Sequence, residues 1–81
     1  MNLPQYQCFK KVGAVKITEI VPHGGGAVLK HEEATVPPVH VDSAYLTKHT
    51  PHVGGYYVEY ADGYKSFSPA KAFAEGYKRI I

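Results

Sequence analysis

Tryptophan is absent from this chain and cysteine occurs once, at Cys8. A lone cysteine excludes an intramolecular disulfide and gives no argument for an oxidising compartment. With no His or Asp motif around it, Cys8 reads as a small buried hydrophobe rather than a nucleophile. No apolar run approaches the ~20 residues that a membrane span requires. The opening Met1-Asn2-Leu3-Pro4-Gln5 has neither the basic nor the apolar region of a signal peptide. The expectation is a soluble protein of the cytoplasm, with no membrane partner.

Charge of one sign is also scarce. Nine Lys and Arg against seven Asp and Glu leave a net charge of +2, and Lys10-Lys11 and Lys78-Arg79 are the adjacent basic pairs. A nucleic-acid surface carries a denser basic stripe, so the composition argues against that partner.

Catalytic signatures are missing too. There is no Gly-x-Ser-x-Gly. Glu32-Glu33 are the one close carboxylate pair, and on a strand neighbouring residues point to opposite faces. Gly24-Gly25-Gly26 lacks the Lys-Ser/Thr and the long helix that follow a phosphate loop, so it reads as a hairpin turn. Glu59 beside Tyr57 or Tyr64 could do acid–base work, but a cross-strand partnership with Lys65 is the simpler reading. His49-Thr50-Pro51-His52 has a metal-capable spacing, yet the two rings flank a proline turn with no Cys or carboxylate near in sequence. His49 and His52 are thus weak candidates, and no cofactor, metal or enzymatic activity is expected.

What the chain does have is hairpin chemistry and tyrosine. Its 81 residues make one small domain, 1–81, burying roughly 60–65% of the surface the unfolded chain exposes, a thin margin that a second copy would widen. Residues 5–10 form a short extended candidate. Lys11 to Val21 alternates with period 2 and predicts one strand, with Val15, Ile17 and Val21 facing the core. The glycine run breaks it, and Ala27–His31 returns antiparallel.

Glu32 to Pro38 reads as a loop, since Pro37-Pro38 excludes a central strand. After an extended Val39-His40-Val41, Asp42 or Ser43 caps a short helix over Ala44–His49, stopped by Thr50-Pro51. His52–Gly55 is a turn.

The C-terminal third is the clearest part. Tyr60-Ala61-Asp62-Gly63 predicts a type I turn with Gly63 left-handed, a three-residue hairpin connection. That register sets Glu59 opposite Lys65, Tyr60 opposite Tyr64 and Tyr57 opposite Phe67. Ser68-Pro69 predicts an N-cap and first helical position for a helix over Pro69–Glu75, with Phe73 on the sheet and Gly76 as left-handed C-cap. Tyr77–Ile81 reads as an edge strand. The expected fold is α+β, a small antiparallel sheet of four to six strands arranged as hairpins and packed by one or two short helices.

Five of the seven tyrosines lie between Tyr56 and Tyr77. Alternation puts Tyr56, Val58 and Tyr60 on one face and Tyr57 and Glu59 on the other. One face packs the second helix. The other either displays rings as a binding surface or closes a two-layer core, and the sequence leaves both open. Tyr56, Tyr57, Tyr60, Tyr64, Lys65 and Tyr77 are the candidate binding residues.

The segments Tyr6–Ile17, Lys48-His49-Thr50-Pro51 and Gly54-Gly55-Tyr56-Tyr57-Val58-x-Tyr60-x-Asp62-Gly63-Tyr64-x-Ser66-x-Ser68-Pro69-Ala70-x-Ala72-Phe73-x-x-Gly76-Tyr77 resemble a recurring family of small proteins encoded by tailed phages and prophages. Members commonly carry Trp where this chain has Gly13 and His where it has Phe9. The resemblance implies a phage origin and the host cytoplasm as location, but no particular activity.

Three readings follow. The leading one is a non-enzymatic accessory protein that binds a host protein through its tyrosine-rich sheet, in host takeover or counter-defence. The second is a homo-oligomer that sequesters a small nucleotide-like ligand, with rings stacking on bases. The third is a minor structural component of the virion.

Overall fold

The computed structural model describes residues 3–7, 11–76 and 78–79, with 5–7, 11 and 78–79 described as backbone. The fold is α+β, as the hairpin signals imply. In chain order the elements are β1 (Gln5–Gln7), β2 (Lys11–Lys16), β3 (Glu19–His23), β4 (Gly26–Lys30), β5 (Val39–Val41), α1 (Ser43–His49), β6 (Tyr56–Tyr60), β7 (Lys65–Ser68), α2 (Ala70–Gly76) and β8 (Lys78–Arg79). Among the described residues there are thus eight strands where four to six were expected. They make a five-stranded sheet, β7-β6-β2-β1-β8, and a three-stranded sheet, β3-β4-β5. Every pairing is antiparallel.

The expected single strand from Lys11 to Val21 is two strands in two sheets. The break has a hydrogen-bonding cause. Ile17 donates to the Gly55 carbonyl and accepts from Gly54 N–H, each at 2.9 Å, whereas Thr18 donates to the Lys30 carbonyl at 2.8 Å. Between these two residues the backbone changes partner, from the β6 side of the large sheet to β4 of the small one. Val15 and Ile17 are buried as expected, but Val21, beyond the switch, is only half-buried. It lies opposite Val28 on the outer face of the small sheet.

β2 and β6 form the middle of the large sheet, with Ala14 opposite Val58 and Val15 opposite Tyr57. Both faces of this pair are covered. On one, Val12, Ala14 and Val58 pack with Phe73 of α2. On the other, Val15, Ile17 and Tyr57 join Leu3, Ala27, Leu29, Val36, Val41 and Tyr45 in the core between the sheets and α1. Burial of a large apolar side chain contributes about 1.5–3 kcal/mol, so these two clusters hold the fold.

Local chemistry explains the connections. Gly24 and Gly25 both have positive φ, 56° and 88°, and His23 pairs with Gly26, so the β3–β4 turn is of type I′. Asp42 caps α1, its Oδ1 accepting from Tyr45 N–H at 2.8 Å. Thr50 ends α1 in the left-handed region (φ 41°, ψ 59°), its N–H bonded to the Leu46 carbonyl. Pro51 bars it from continuing the helix.

The second helix departs from expectation at both ends. The Pro69 carbonyl accepts from Phe73 N–H at 2.9 Å, so Pro69 occupies the cap position and Ala70 begins the helix. Ser68 Oγ donates to the Pro69 carbonyl at 3.4 Å rather than capping. Gly76 closes the helix without a positive φ. β8 pairs with β1 at the sheet edge, as the edge-strand reading requires.

Candidate functional site

The β6–β7 hairpin adopts the three-residue connection. Gly63 has φ 92° and donates to the Tyr60 carbonyl at 2.9 Å, while Asp62 Oδ1 accepts from Tyr64 N–H at 3.0 Å. Glu59 faces Lys65 and Tyr57 faces Phe67, as read from the turn. Glu59 and Lys65 are register partners without being an ion pair. The Glu59 carboxylate accepts instead from the Tyr57 hydroxyl at 3.0 Å.

This geometry distributes the candidate tyrosines over three environments. Tyr56 stacks on Phe73 with centroids 3.9 Å apart and planes within 10°, and Tyr60 packs beside it. Tyr57 is 1% exposed, inside the core between the sheets. Burial and the bond to Glu59 push its phenol well above the usual range. Tyr64 alone of the described candidate rings is strongly exposed, at 44%. Tyr77 lies outside the described residues. Among the described candidate rings Tyr57 is thus buried, Tyr56 and Tyr60 are half-buried on the α2 side, and Tyr64 at the hairpin tip is the most open to solvent.

That tip borders a groove. Tyr64 meets Tyr60 edge-on at 5.8 Å and His49 at 6.1 Å, and Lys48 Nζ sits 5.1 Å from its ring centre. His49 in turn lies 4.7 Å from Tyr45. A shallow depression of about 310 Å³ runs here between α1 and the hairpin, lined by Lys48, His49, Tyr64 and Lys65 among others. It adjoins a deeper cleft of about 470 Å³ lined by His23, the Gly24–Gly26 turn, His40 and Ser43. Asp42, Tyr45 and Lys65 line both.

His23 and His40 come together for a topological reason. They stand on the outer face of β3 and β5, flanking β4, and their rings meet at 5.9 Å and 76°. Gly26 puts no side chain between them. A Cβ there would run into the Val41 carbonyl, so the position accepts glycine alone without displacing β5.

Of the sequence candidates, Tyr64, Lys65 and His49 are in this groove. Tyr56 and Tyr60 are on the α2 side of the large sheet, and His52 meets Phe67 at 4.9 Å, whereas His49 meets Tyr45 and Tyr64. Among the described residues no three His, Cys, Asp or Glu side chains converge as metal ligands. No helix of the described residues is long and apolar enough to cross a membrane. Sequence reasoning missed Lys48, His23, His40 and Tyr45. The one available hint was the aromatic in the first turn of a capped helix, since Tyr45 is held by burial and a hydroxyl bond to the Ser66 carbonyl. Burial, with a smaller contribution from Tyr64, raises its phenol well above the usual range, so it stays a donor.

This architecture is similar to the NMR solution structure of the monomeric form of the phage L decoration protein, with a TM-score of 0.71 over 94% of this chain. The two share a fold. Their sequences are 22% identical, and the match spans 58% of the length of the phage L protein. No protein-family model matches the chain, and neither does any curated protein sequence.

Proposed function

We propose that this chain is a non-enzymatic, virion-associated protein of a tailed phage, which docks on the outside of the assembled head. The observation that carries this reading is the shared fold with a decoration protein over 94% of the chain. The sequence resemblance to proteins of tailed phages and prophages supports it independently. Of the three readings open to the sequence, the virion component fits both observations. Host takeover and nucleotide sequestration draw no support from the fold likeness. The docking surface in this reading is the groove between α1, the β3–β4 turn and the Tyr64 hairpin, since Tyr64 is the most exposed of the described candidate rings.

The test uses the phage that encodes the chain. Particles purified from the wild type should contain the protein by mass spectrometry, and particles from a deletion strain should bind added protein and carry it down on sedimentation. Absence from wild-type particles together with no co-sedimentation would sink the proposal, and capture of a single host protein by the purified chain would restore the takeover reading.

A further inference from the structure

Two lysines border the groove without an ion-pair partner. Among the described residues neither Lys48 nor Lys65 has a carboxylate within ion-pair distance, and the Lys30–Glu19 pair lies outside the groove. Three imidazoles, His23, His40 and His49, line the same surface. Against them stands one carboxylate, Asp42, with one oxygen already held by Tyr45 N–H. Glu59, the register partner of Lys65, is occupied by the Tyr57 hydroxyl, and Asp62 by the backbone of its own turn. The nearby acids thus each accept an internal hydrogen bond, whereas neither lysine has a carboxylate partner.

We infer that this groove takes an acidic segment of the partner protein, its carboxylates set against Lys48 and Lys65 and an apolar stem lying on the exposed Tyr64 ring. The inference rests on the virion reading, and names the chemistry of the head surface that reading requires. Carboxylate fits better than a polyphosphate backbone. Two lysines separated by an aromatic ring make two point contacts, whereas a nucleic-acid track needs a continuous basic stripe. Neither ammonium has to leave a carboxylate of this chain when the partner's carboxylate arrives, since Lys48 Nζ lies over the Tyr64 ring rather than in an ion pair. Charges at the rim of an interface govern encounter rate and salt dependence, so binding should weaken as ionic strength rises.

The experiment has two arms. In the first, the isotope-labelled chain is titrated with a capped hexaglutamate peptide, with hexalysine and a short oligothymidylate as comparisons. Hexaglutamate is expected to shift the resonances of Lys48, Tyr64 and Lys65, and hexalysine to shift none of them. In the second arm, co-sedimentation with deletion-strain particles compares the wild type with Lys48→Glu/Lys65→Glu and with Lys71→Glu, a reversal on the exposed side of α2. Reversal in the groove should weaken head binding about 10-fold or more, and reversal at Lys71 should leave it unchanged. The neutral pair Lys48→Met/Lys65→Met, with melting temperature checked, separates charge from any loss of folding.

If the wild type binds heads and groove reversal leaves binding intact, the acidic-segment inference is overturned while the virion reading stands. If the wild type does not bind heads, the virion reading falls and the peptide titration alone decides the groove. Absent or scattered shifts with hexaglutamate, or tighter binding of the oligothymidylate, would overturn it.

Discussion

The Tyr45 hydroxyl donates to the backbone carbonyl of Ser66 at 2.5 Å, joining α1 to the edge strand β7. Tyr45 also packs in the core beside Tyr57, with ring centres 6.0 Å apart. This one side chain therefore fixes where the helix wall of the groove stands relative to the hairpin. Tyr45→Phe keeps the ring and removes the bond, with an expected cost of about 1–2 kcal/mol. Urea unfolding of the two proteins measures it. Equal midpoints would mean that the contact adds nothing to stability.

Gly63 holds the β6–β7 turn at φ 92°, where a β-branched residue fits poorly. Gly63→Val should cost about 1–2 kcal/mol. In a chain of this length that lowers the melting temperature by roughly 5–15 °C. An unchanged melting temperature would contradict the turn geometry.

Gly26 is a different case, because the obstacle is a neighbour rather than its own φ. Gly26→Ala drives a methyl into the Val41 carbonyl, and backbone yields less readily than a side-chain tip. The expected loss is about 2 kcal/mol or more, with faster amide exchange at Ala27 and Val41, which face each other across β4 and β5. Retention of full protection at both amides would show that β5 moves at no cost.

Tyr57 and Tyr64 lie on one hairpin and should respond in opposite ways. Tyr57→Ser empties a fully buried site and should cost about 3 kcal/mol or more. Tyr64→Ser, at an exposed position, should change stability by less than about 1 kcal/mol while weakening head binding. The pair of melting curves and the pair of sedimentation assays read the two effects separately.

Alkaline pH tests the buried phenols. Tyr45 and Tyr57 keep their protons in the folded chain beyond the usual phenol range, whereas the unfolded chain loses them near pH 10. Their contribution is therefore fully present below about pH 10 and falls as the pH rises towards the folded-state values. Each phenol adds a slope of up to ~1.4 kcal/mol per pH unit. Urea midpoints taken between about pH 8 and pH 11 should hold level and then decline. Tyr57→Phe should remove about half of that decline. A decline of unchanged steepness in this variant would assign the effect elsewhere.

Features written in consecutive residues were legible before the structure. The Asp62-Gly63 turn and its register, the Asp42 cap, the stop at Thr50-Pro51 and the Gly24–Gly26 turn each depend on residues a few positions apart. The two ends of α2 show the limit of such rules, since Ser68 and Gly76 carry the right residue types without the cap geometry. The sheet switch at Ile17–Thr18 was hidden because its partners, Gly54, Gly55 and Lys30, are remote in sequence. The groove was hidden for the same reason. It draws residues from 23–26, 40–49 and 63–65, and no single segment carries its pattern. Alternation did separate Tyr56 from Tyr57, but which face met a core depended on the position of the second sheet.

The switch from one sheet to the other also bears on how the chain reaches its native state. The small sheet joins β3, β4 and β5, neighbours along the chain, whereas β2 must find β6 across all of them and α1. Closing so long a loop costs entropy before any contact rewards it, and such non-local pairing slows folding. The large sheet should therefore close last, and refolding followed by tyrosine fluorescence should show one slow phase that Tyr57→Phe alters. Protection of the large sheet's amides ahead of the small sheet's in pulse-labelling would reverse that order.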